Sequence, residues 1–416
     1  MNIFDFLLLY SLTIIWITIF LNVILVVGGY IYYLKTLKMK MKKELHEYPF
    51  VSIMVPAHNE GIVIEKTVKS LLELEYPEDK YEIIIINDNS SDNSAEILSE
   101  IQKKNPSRNL IVINTDNIIG GKGKSNALNI GFNRSKGEFL VIYDADNTPE
   151  KKALKYLMQT ILEDKKLGAV IGKFRCRNKK KNLLTKFINI ETLTFQWMAQ
   201  AGRWQLFNLC TIPGTNFVIR RSLIEEMGGW DTKAITEDTE ISFRLYRMGY
   251  KIKFMPLSVT WEQEPQTLKV WFKQRSRWAK GNVYVIAKNV KYLFGKTGGA
   301  SRFDILYYVI IYFFFLSAVL FSDMLFILGL AQVIKLNIGG YSLILWVMAY
   351  TVFCLSIFVA ISTEKGELSF NTFLIVLLMY FTYCKLWGVV AGLGFYNFIR
   401  DIVFKREVKW YKTERF

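Results

Sequence analysis

Charged residues are absent from Phe6 to Leu34, and five lysines follow at once, at positions Lys35, Lys38, Lys40, Lys42 and Lys43. An apolar run of this length exceeds the roughly 20 residues a helix needs to cross a bilayer. The pattern argues against a secretory signal: no Lys or Arg precedes the run, it is too long, and no small-x-small cleavage site follows. The lysines predict that the N-terminus lies outside and the next segment in the cytoplasm.

From Tyr48 to about Asn289 the pattern changes. Short β-branched runs (Val51–Val55, Ile83–Ile86, Leu110–Ile113, Phe139–Ile142 and Ala169–Ile171) alternate with polar stretches of helical period, as parallel βαβ units do. Long apolar runs resume at Ile305–Ile334, Tyr341–Ser362 and Phe370–Phe398, two of them interrupted by a charge, Asp323 and Lys385. An intramembrane charge is costly and usually faces a polar interior or pathway. The expected count is therefore four spans, one before the α/β region and three after. That parity puts the tail outside, although Lys405, Arg406, Lys409, Lys412 and Arg415 favour the cytoplasm.

The 416 residues carry 53 Lys+Arg against 37 Asp+Glu, a net charge of +16, and 51% are hydrophobic. Only 8 Pro and 26 Gly with 15% aromatics exclude disordered and collagen-like chains. Four Cys without a CxxC argue against a disulfide scaffold, and His46 and His58 are too few for a histidine zinc site. The basic residues gather beside the apolar runs, which argues against nucleic acid as a partner.

Candidate chemistry lies at the ends of the predicted strands, where α/β sheets bind ligands. The first ends in Val55-Pro56-Ala57-His58-Asn59-Glu60-Gly61 and the second in Ile86-Asn87-Asp88. Gly120-Gly121-Lys122-Gly123-Lys124-Ser125 opens a helix; it lacks the P-loop spacing but suits a diphosphate. Asp144-Ala145-Asp146 could share a divalent cation with phosphate oxygens, since Mg²⁺ takes one or two carboxylates and fills its shell with ligand and water. Thr236-Glu237-Asp238 supplies a further acidic site, and Gln274-Arg275-Ser276-Arg277-Trp278 lies on a basic amphipathic helix of interfacial type. No GxGxxG follows the first strand, which excludes a dinucleotide dehydrogenase.

Taken in order, Asp88, Asp144-Ala145-Asp146, Thr236-Glu237-Asp238 and Gln274-Arg275-Ser276-Arg277-Trp278 resemble the D, DxD, TED, QxxRW series of processive membrane glycosyltransferases of family 2, the group of cellulose, hyaluronan, mixed-linkage β-glucan and poly-N-acetylglucosamine synthases. The resemblance implies an α/β GT-A domain inserted between transmembrane helices, with amphipathic interface helices. It divides the chain into an N-terminal transmembrane helix (1–34), a basic cytoplasmic linker (35–47), the catalytic domain (48–264), interface helices carrying QxxRW (265–303), transmembrane channel helices (304–400) and a basic tail (401–416).

By similarity, Ala57, Glu60 and Asp88 hold uridine, while Lys124, Asp144, Gln274 and Arg277 serve the diphosphate. Asp146 with Asp144 ligates Mg²⁺ or Mn²⁺. Asp238 is the general base, flanked by Thr236 and Glu237. Trp278 stacks on the acceptor, which Gly214, Thr215 and Asn216 also contact; the cysteine that cellulose-type members have in that loop is absent here. Trp410, Thr413 and Arg415 resemble a tail element that closes over bound UDP. The implied partners are a UDP-sugar, a growing polysaccharide, the lipid bilayer and accessory secretion proteins, in the plasma membrane with a cytoplasmic catalytic domain. The overall resemblance favours UDP-glucose and a cellulose-like or mixed 1,3/1,4-linked β-glucan. The alternatives are UDP-N-acetylglucosamine with a poly-N-acetylglucosamine or hyaluronan-type product, and single transfer onto a lipid phosphate. A transporter or receptor with a nucleotide-binding domain is the rival of a different class; it needs neither DxD nor a TED base.

Overall fold

A computed structural model describes residues 2–39, 41, 44–293, 301–336, 342–404 and 414–415. Eight strands build one sheet: β1 (Val51–Ala57), β2 (Tyr81–Asn87), β3 (Leu110–Asn114), β4 (Phe139–Ile142), β5 (Thr148–Pro149), β6 (Leu167–Cys176), β7 (Phe217–Arg220) and β8 (Lys251–Glu262), in the order β3-β2-β1-β4-β7-β6-β8-β5. The runs that predicted β1 to β4 form its parallel half, with Val51 opposite both Tyr81 and Phe139. Ile83, Ile84, Ile85 and Ile86 are all buried because helices cover both faces of this half.

The sheet is not wholly parallel. β7 runs antiparallel between β4 and β6, and β5 lies antiparallel on β8. Neither β5, β7 nor the twelve-residue β8 was anticipated. Pro256 and the charged ends of β8 hide its period, and its pairing with β6 is interrupted by shifts of register.

Four described helices are long and apolar enough to cross a bilayer: Ile3–Leu37, Arg302–Leu330, Leu343–Ser362 and Tyr383–Val403. At about 1.5 Å per residue the first is roughly 52 Å long, well beyond a hydrocarbon core of about 30 Å. Its last third docks on the α/β domain. A Cβ on Gly29 would stand 1.8 Å from the Trp197 carbonyl oxygen, and one on Gly202 would stand 2.1 Å from that of Leu25. Tyr32 donates a hydrogen bond to the carbonyl of Phe254.

The expected single span Phe370–Phe398 is instead broken at Tyr380–Thr382 into helices Phe370–Met379 and Tyr383–Val403. The Thr382 hydroxyl bonds back to the Leu378 carbonyl at 2.8 Å, which competes with the helical ladder. Tyr380 and Phe381 pack on Trp346 and Tyr350, while Lys385 pairs with Asp323 at 2.6 Å.

Buried ion pairs fix where these helices meet the domain. Arg203 pairs with Asp304 at the start of one helix. Beyond the end of the next, Glu364 accepts from Lys173 and Arg175, both at 2.6 Å, and Glu367 from Arg175 at 2.6 Å and Lys179 at 2.5 Å. Asp401 pairs with Lys280 of the helix Leu268–Asn289, and Arg415 reaches Glu60 and Asp146. The segment 370–403 thus leaves the domain and returns to it, so the end of the tail lies on the domain's side. This corrects the outside tail implied by three crossings after the domain.

The helix Leu268–Asn289 is wedged between the domain and the helix Tyr383–Val403, and Trp271 and Arg275 on it are buried.

Removing the Glu364 carboxylate leaves the buried Lys173 without its ion-pair partner and Arg175 with Glu367 alone, and breaking a buried pair in this way typically costs about 3–5 kcal/mol. Glu364→Ala is therefore expected to lower the thermal unfolding midpoint in detergent by many degrees, and an unchanged midpoint contradicts the network.

Candidate active site

The carboxyl ends of β1, β2 and β4 face one cavity of about 590 Å³. Ala57 closes β1 and Asp88 follows β2, where its carboxylate accepts from the Gly121 N–H and the Thr115 hydroxyl, both at 2.9 Å. Asp144 and Asp146 follow β4. The glycine loop delivers Lys124 at a helix start, with Gly123 in the left-handed region at φ 103°. Lys124 contacts Asp144 at 2.7 Å, Glu237 at 3.2 Å and the Gly214 carbonyl at 2.8 Å. Burial alone would lower its pKa, but Asp144 and Glu237 hold it above that of an ordinary lysine.

Glu237 and Asp238 open the helix Glu237–Arg247. Asp238 accepts from the Thr239 N–H at 2.7 Å. Burial first, then the charge of Glu237, push its carboxyl up to about 7, with Lys124 pulling the other way. Thr236 precedes the helix without capping it, and its buried hydroxyl has no hydrogen-bond partner among the described residues. Gly281 lets the helix Leu268–Asn289 approach this turn: a Cβ there would stand 2.5 Å from the Thr236 Cγ2. The same helix brings Gln274, Arg277 and Trp278 to the cavity.

Asp146 accepts from the Gln263 N–H at 3.1 Å and pairs with Arg415 at 2.9 Å, while Arg415 also holds Glu60 at 3.1 Å. Trp410 and Thr413, expected to act with Arg415, lie outside the described residues. Gly214 and Thr215 line the cavity. Asn216 does not; its buried amide donates to the carbonyls of Lys173 and Ser258, so the structure spends it on joining β6 to β8 rather than on an acceptor. A divalent ion suits Asp144 and Asp146, hard oxygen donors on one cavity wall. Among the described residues no three His, Cys, Asp or Glu side chains form a metal cage, so most of such an ion's shell would come from ligand and water.

The cavity continues past these residues into the apolar helices, along Tyr308, Tyr312, Phe315, Phe353, Tyr380 and Lys385. Its wall includes three acids that sequence reasoning missed. Glu262 and Glu264 are hydrogen-bonded neighbours at the end of β8, both raised by burial. Glu191 is the lone acid of an apolar helix, Leu183–Thr194, which was its one available signal.

Residues 49–281 match the family model described as "Glycosyltransferase like family 2". The chain is 46% identical to the "Probable glycosyltransferase YdaM" of Bacillus subtilis (strain 168) over 408 residues, 98% of this chain and 97% of the relative. It is 33% identical to the poly-beta-1,6-N-acetyl-D-glucosamine synthase of Staphylococcus aureus (strain COL) over 294 residues, 70% of this chain and 68% of the relative. A solved structure of the mannosyltransferase PcManGT from Pyrobaculum calidifontis, in complex with GDP-Man and Mn2+, shares the fold with a TM-score of 0.61 at 19% identity, covering 92% of this chain and 99% of that one.

Replacing glycine by alanine inside a helix usually gains about 0.5–1 kcal/mol. At Gly281 the opposite sign is expected, a loss of about 1–3 kcal/mol from overpacking against Thr236. Thermal unfolding of Gly281→Ala checks this, and a raised midpoint contradicts the close approach.

Proposed function

The chain belongs to the family 2 glycosyltransferases, and from that premise we propose that it is an inverting polymerase that extends a β-linked polysaccharide from a UDP-sugar and passes it through its own membrane helices. The observation that carries this reading is the single cavity joining the carboxylates at the strand ends to the aromatic side chains of the apolar helices. The aromatic rings along this continuation, with Lys385 among them, give a sugar chain faces to stack on, and a mere nucleotide-binding domain has no use for Asp238. The reading puts the protein in the plasma membrane with its α/β domain in the cytoplasm, in keeping with the lysines that follow the first apolar run.

UDP-glucose and a β-glucan, favoured by overall resemblance, find no support among the relatives reported above. The relative whose product is named makes poly-β-1,6-N-acetyl-D-glucosamine. UDP-N-acetylglucosamine is therefore the donor we put first.

In this mechanism the end of β1 and Asp88 hold uridine, with Glu60 beside them. Lys124 and Arg277 face the diphosphate, and the Gln274 amide adds a neutral donor. Asp144 and Asp146 would hold Mg²⁺ or Mn²⁺, whose charge offsets that which grows on the departing UDP. The acceptor sugar stacks on Trp278, between the Gly214–Thr215 loop and Asp238. Asp238 takes the proton of the acceptor hydroxyl. That oxygen bonds to the anomeric carbon while the bond to UDP breaks, and its electron pair leaves with UDP. One displacement on an α-linked donor gives a β linkage without a covalent enzyme intermediate.

A positioned base contributes about 10²–10⁴-fold. Asp238→Asn is expected to lose transfer on that scale while UDP binding, measured calorimetrically, stays within a few-fold; equal loss of both removes Asp238 from the base role. Because its carboxyl is raised to about 7, the base form disappears as pH falls. The initial rate should drop about tenfold per pH unit below neutrality and level off above it, and a flat profile between pH 5.5 and 8.5 refutes the assignment. The donor is tested by incubating purified protein with UDP-N-acetylglucosamine or UDP-glucose and Mg²⁺ or Mn²⁺, then sizing the product and digesting it with linkage-specific hydrolases. A glucose polymer, or a product one sugar longer than its acceptor, overturns the corresponding part of the reading.

A further inference from the structure

Arg275 sits inside the QxxRW segment at a position the motif leaves open. It is 1% exposed, and its contacts are to Gln274, Trp278, Glu191 and, at 4.0 Å, Glu264. Its guanidinium carbon lies 3.9 Å from the centre of the Trp278 ring, one helical turn ahead. One terminal nitrogen donates to the Gln274 Oε1 at 2.8 Å, the other to the Glu191 Oε2 at 2.8 Å.

Neighbours at i and i+1 do not normally face each other on a helix, so the bond to Gln274 holds that amide against its ordinary direction. Arginine has donors and no acceptor, so the amide oxygen must face it and the amide N–H₂ turns away.

Glu191 is fixed in turn from the far side. The Tyr383 hydroxyl donates to its Oε2 and the Trp387 indole to its Oε1, both at 2.7 Å, and Trp271 donates to the Tyr383 hydroxyl at 2.9 Å. Tyr383 and Trp387 belong to the helix Tyr383–Val403, and Trp387 lines the cavity where it enters the apolar helices. A chain of contacts therefore runs from a wall of the passage to both ends of the Gln274–Trp278 segment.

We propose that Arg275 is a positioning residue, which aims the Gln274 N–H₂ into the cavity and holds the Trp278 ring flat for the acceptor sugar, and that Glu191, Tyr383 and Trp387 make this setting depend on the helix bordering the passage. The inference rests on the transferase reading, since it gives Gln274 and Trp278 a substrate to face. It adds a link from the passage wall to the acceptor platform, through residues that contact no reacting atom.

Lysine keeps the charge but lacks the planar fork that bonds two partners while stacking on a ring. In full-length protein in detergent, with the UDP-sugar that the wild type uses and a matching oligosaccharide acceptor, Arg275→Lys is expected to lose about 10²-fold in kcat/KM for the acceptor, the cost of a misplacement of about 1 Å. Its dissociation constant for UDP with Mg²⁺ should rise by less than about tenfold, the worth of one neutral hydrogen bond, because Lys124 keeps its own contacts and Gln274 is the diphosphate donor that Arg275 holds. Glu191→Gln should fall in the same direction, since its amide N–H₂ must face either Arg275 or Trp387, both of which are donors. Tyr383→Phe should lower acceptor use by itself but add little on the Arg275→Lys background.

Wild-type acceptor kinetics in Arg275→Lys overturn the proposal, and so does a parallel loss of UDP affinity. Should Arg275→Lys fail to fold, Glu191→Gln decides by the same two readouts. A wild type that releases UDP from no UDP-sugar overturns the function and this role together, whereas an active wild type with unaffected variants overturns only the role of Arg275.

Discussion

The structure turns on a crowding of carboxylates that could not be buried alone. Glu60, Asp88, Asp144, Asp146, Glu237, Asp238 and Glu262 share one cavity wall. An uncompensated buried charge costs several kcal/mol, so cations must be carried to that wall. They come from distant parts of the chain: Lys124 from the start of a helix behind the glycine loop, Arg277 from the wedged helix Leu268–Asn289, and Arg415 from the tail. Neutralisation thus folds the glycine loop, the wedged helix and the tail onto the same strand ends. On the reading proposed above, a departing nucleoside diphosphate uses this supply of positive charge beside Asp238.

A second layer of ion pairs joins this site to the membrane part. Arg203–Asp304, the Glu364 and Glu367 cluster and Lys280–Asp401 are all partly or wholly buried, and each joins the domain or its wedged helix to an apolar helix or the turn beyond it. Three cations of β6 and the loop after it are thereby consumed internally, so they are not part of a basic surface. Held in this way, the apolar helices that line the cavity keep a fixed place relative to the carboxylates at the strand ends. Among the described residues, both segments with a π-type turn, Phe195–Gln200 and Ile310–Phe315, contribute to the cavity wall, a common placement for such bulges.

Much of this was legible beforehand. The runs Val51–Val55, Ile83–Ile86 and Phe139–Ile142 became strands because apolar, β-branched stretches covered on both sides have little alternative to a central parallel strand. The motif residues at their ends converge because parallel strands present all their carboxyl ends on one edge. The antiparallel β7 escaped notice, since four residues hold too little period to tell strand from loop. Asn216 was assigned by its neighbourhood to Gly214 and Thr215, but its left-handed backbone, with φ of 49°, turns the side chain into the sheet. The break at Tyr380–Thr382 was invisible to hydropathy, because an aromatic turn inside an apolar run reads as more of the same helix.

Local pattern and order of motifs were thus determined by the sequence alone: an α/β domain between apolar helices, a glycine loop, paired aspartates, a Thr-Glu-Asp turn and the Gln274–Trp278 segment. These follow from forces acting over a few residues, namely helical and strand periods, turn chemistry and the cost of charge in lipid. Only the tertiary structure decided which cation meets which carboxylate, that the segment 370–403 turns back towards the domain, and that Glu191 lies beneath Arg275. Those outcomes depend on burial and charge pairing between residues scores to hundreds of positions apart, and no local pattern carries that information.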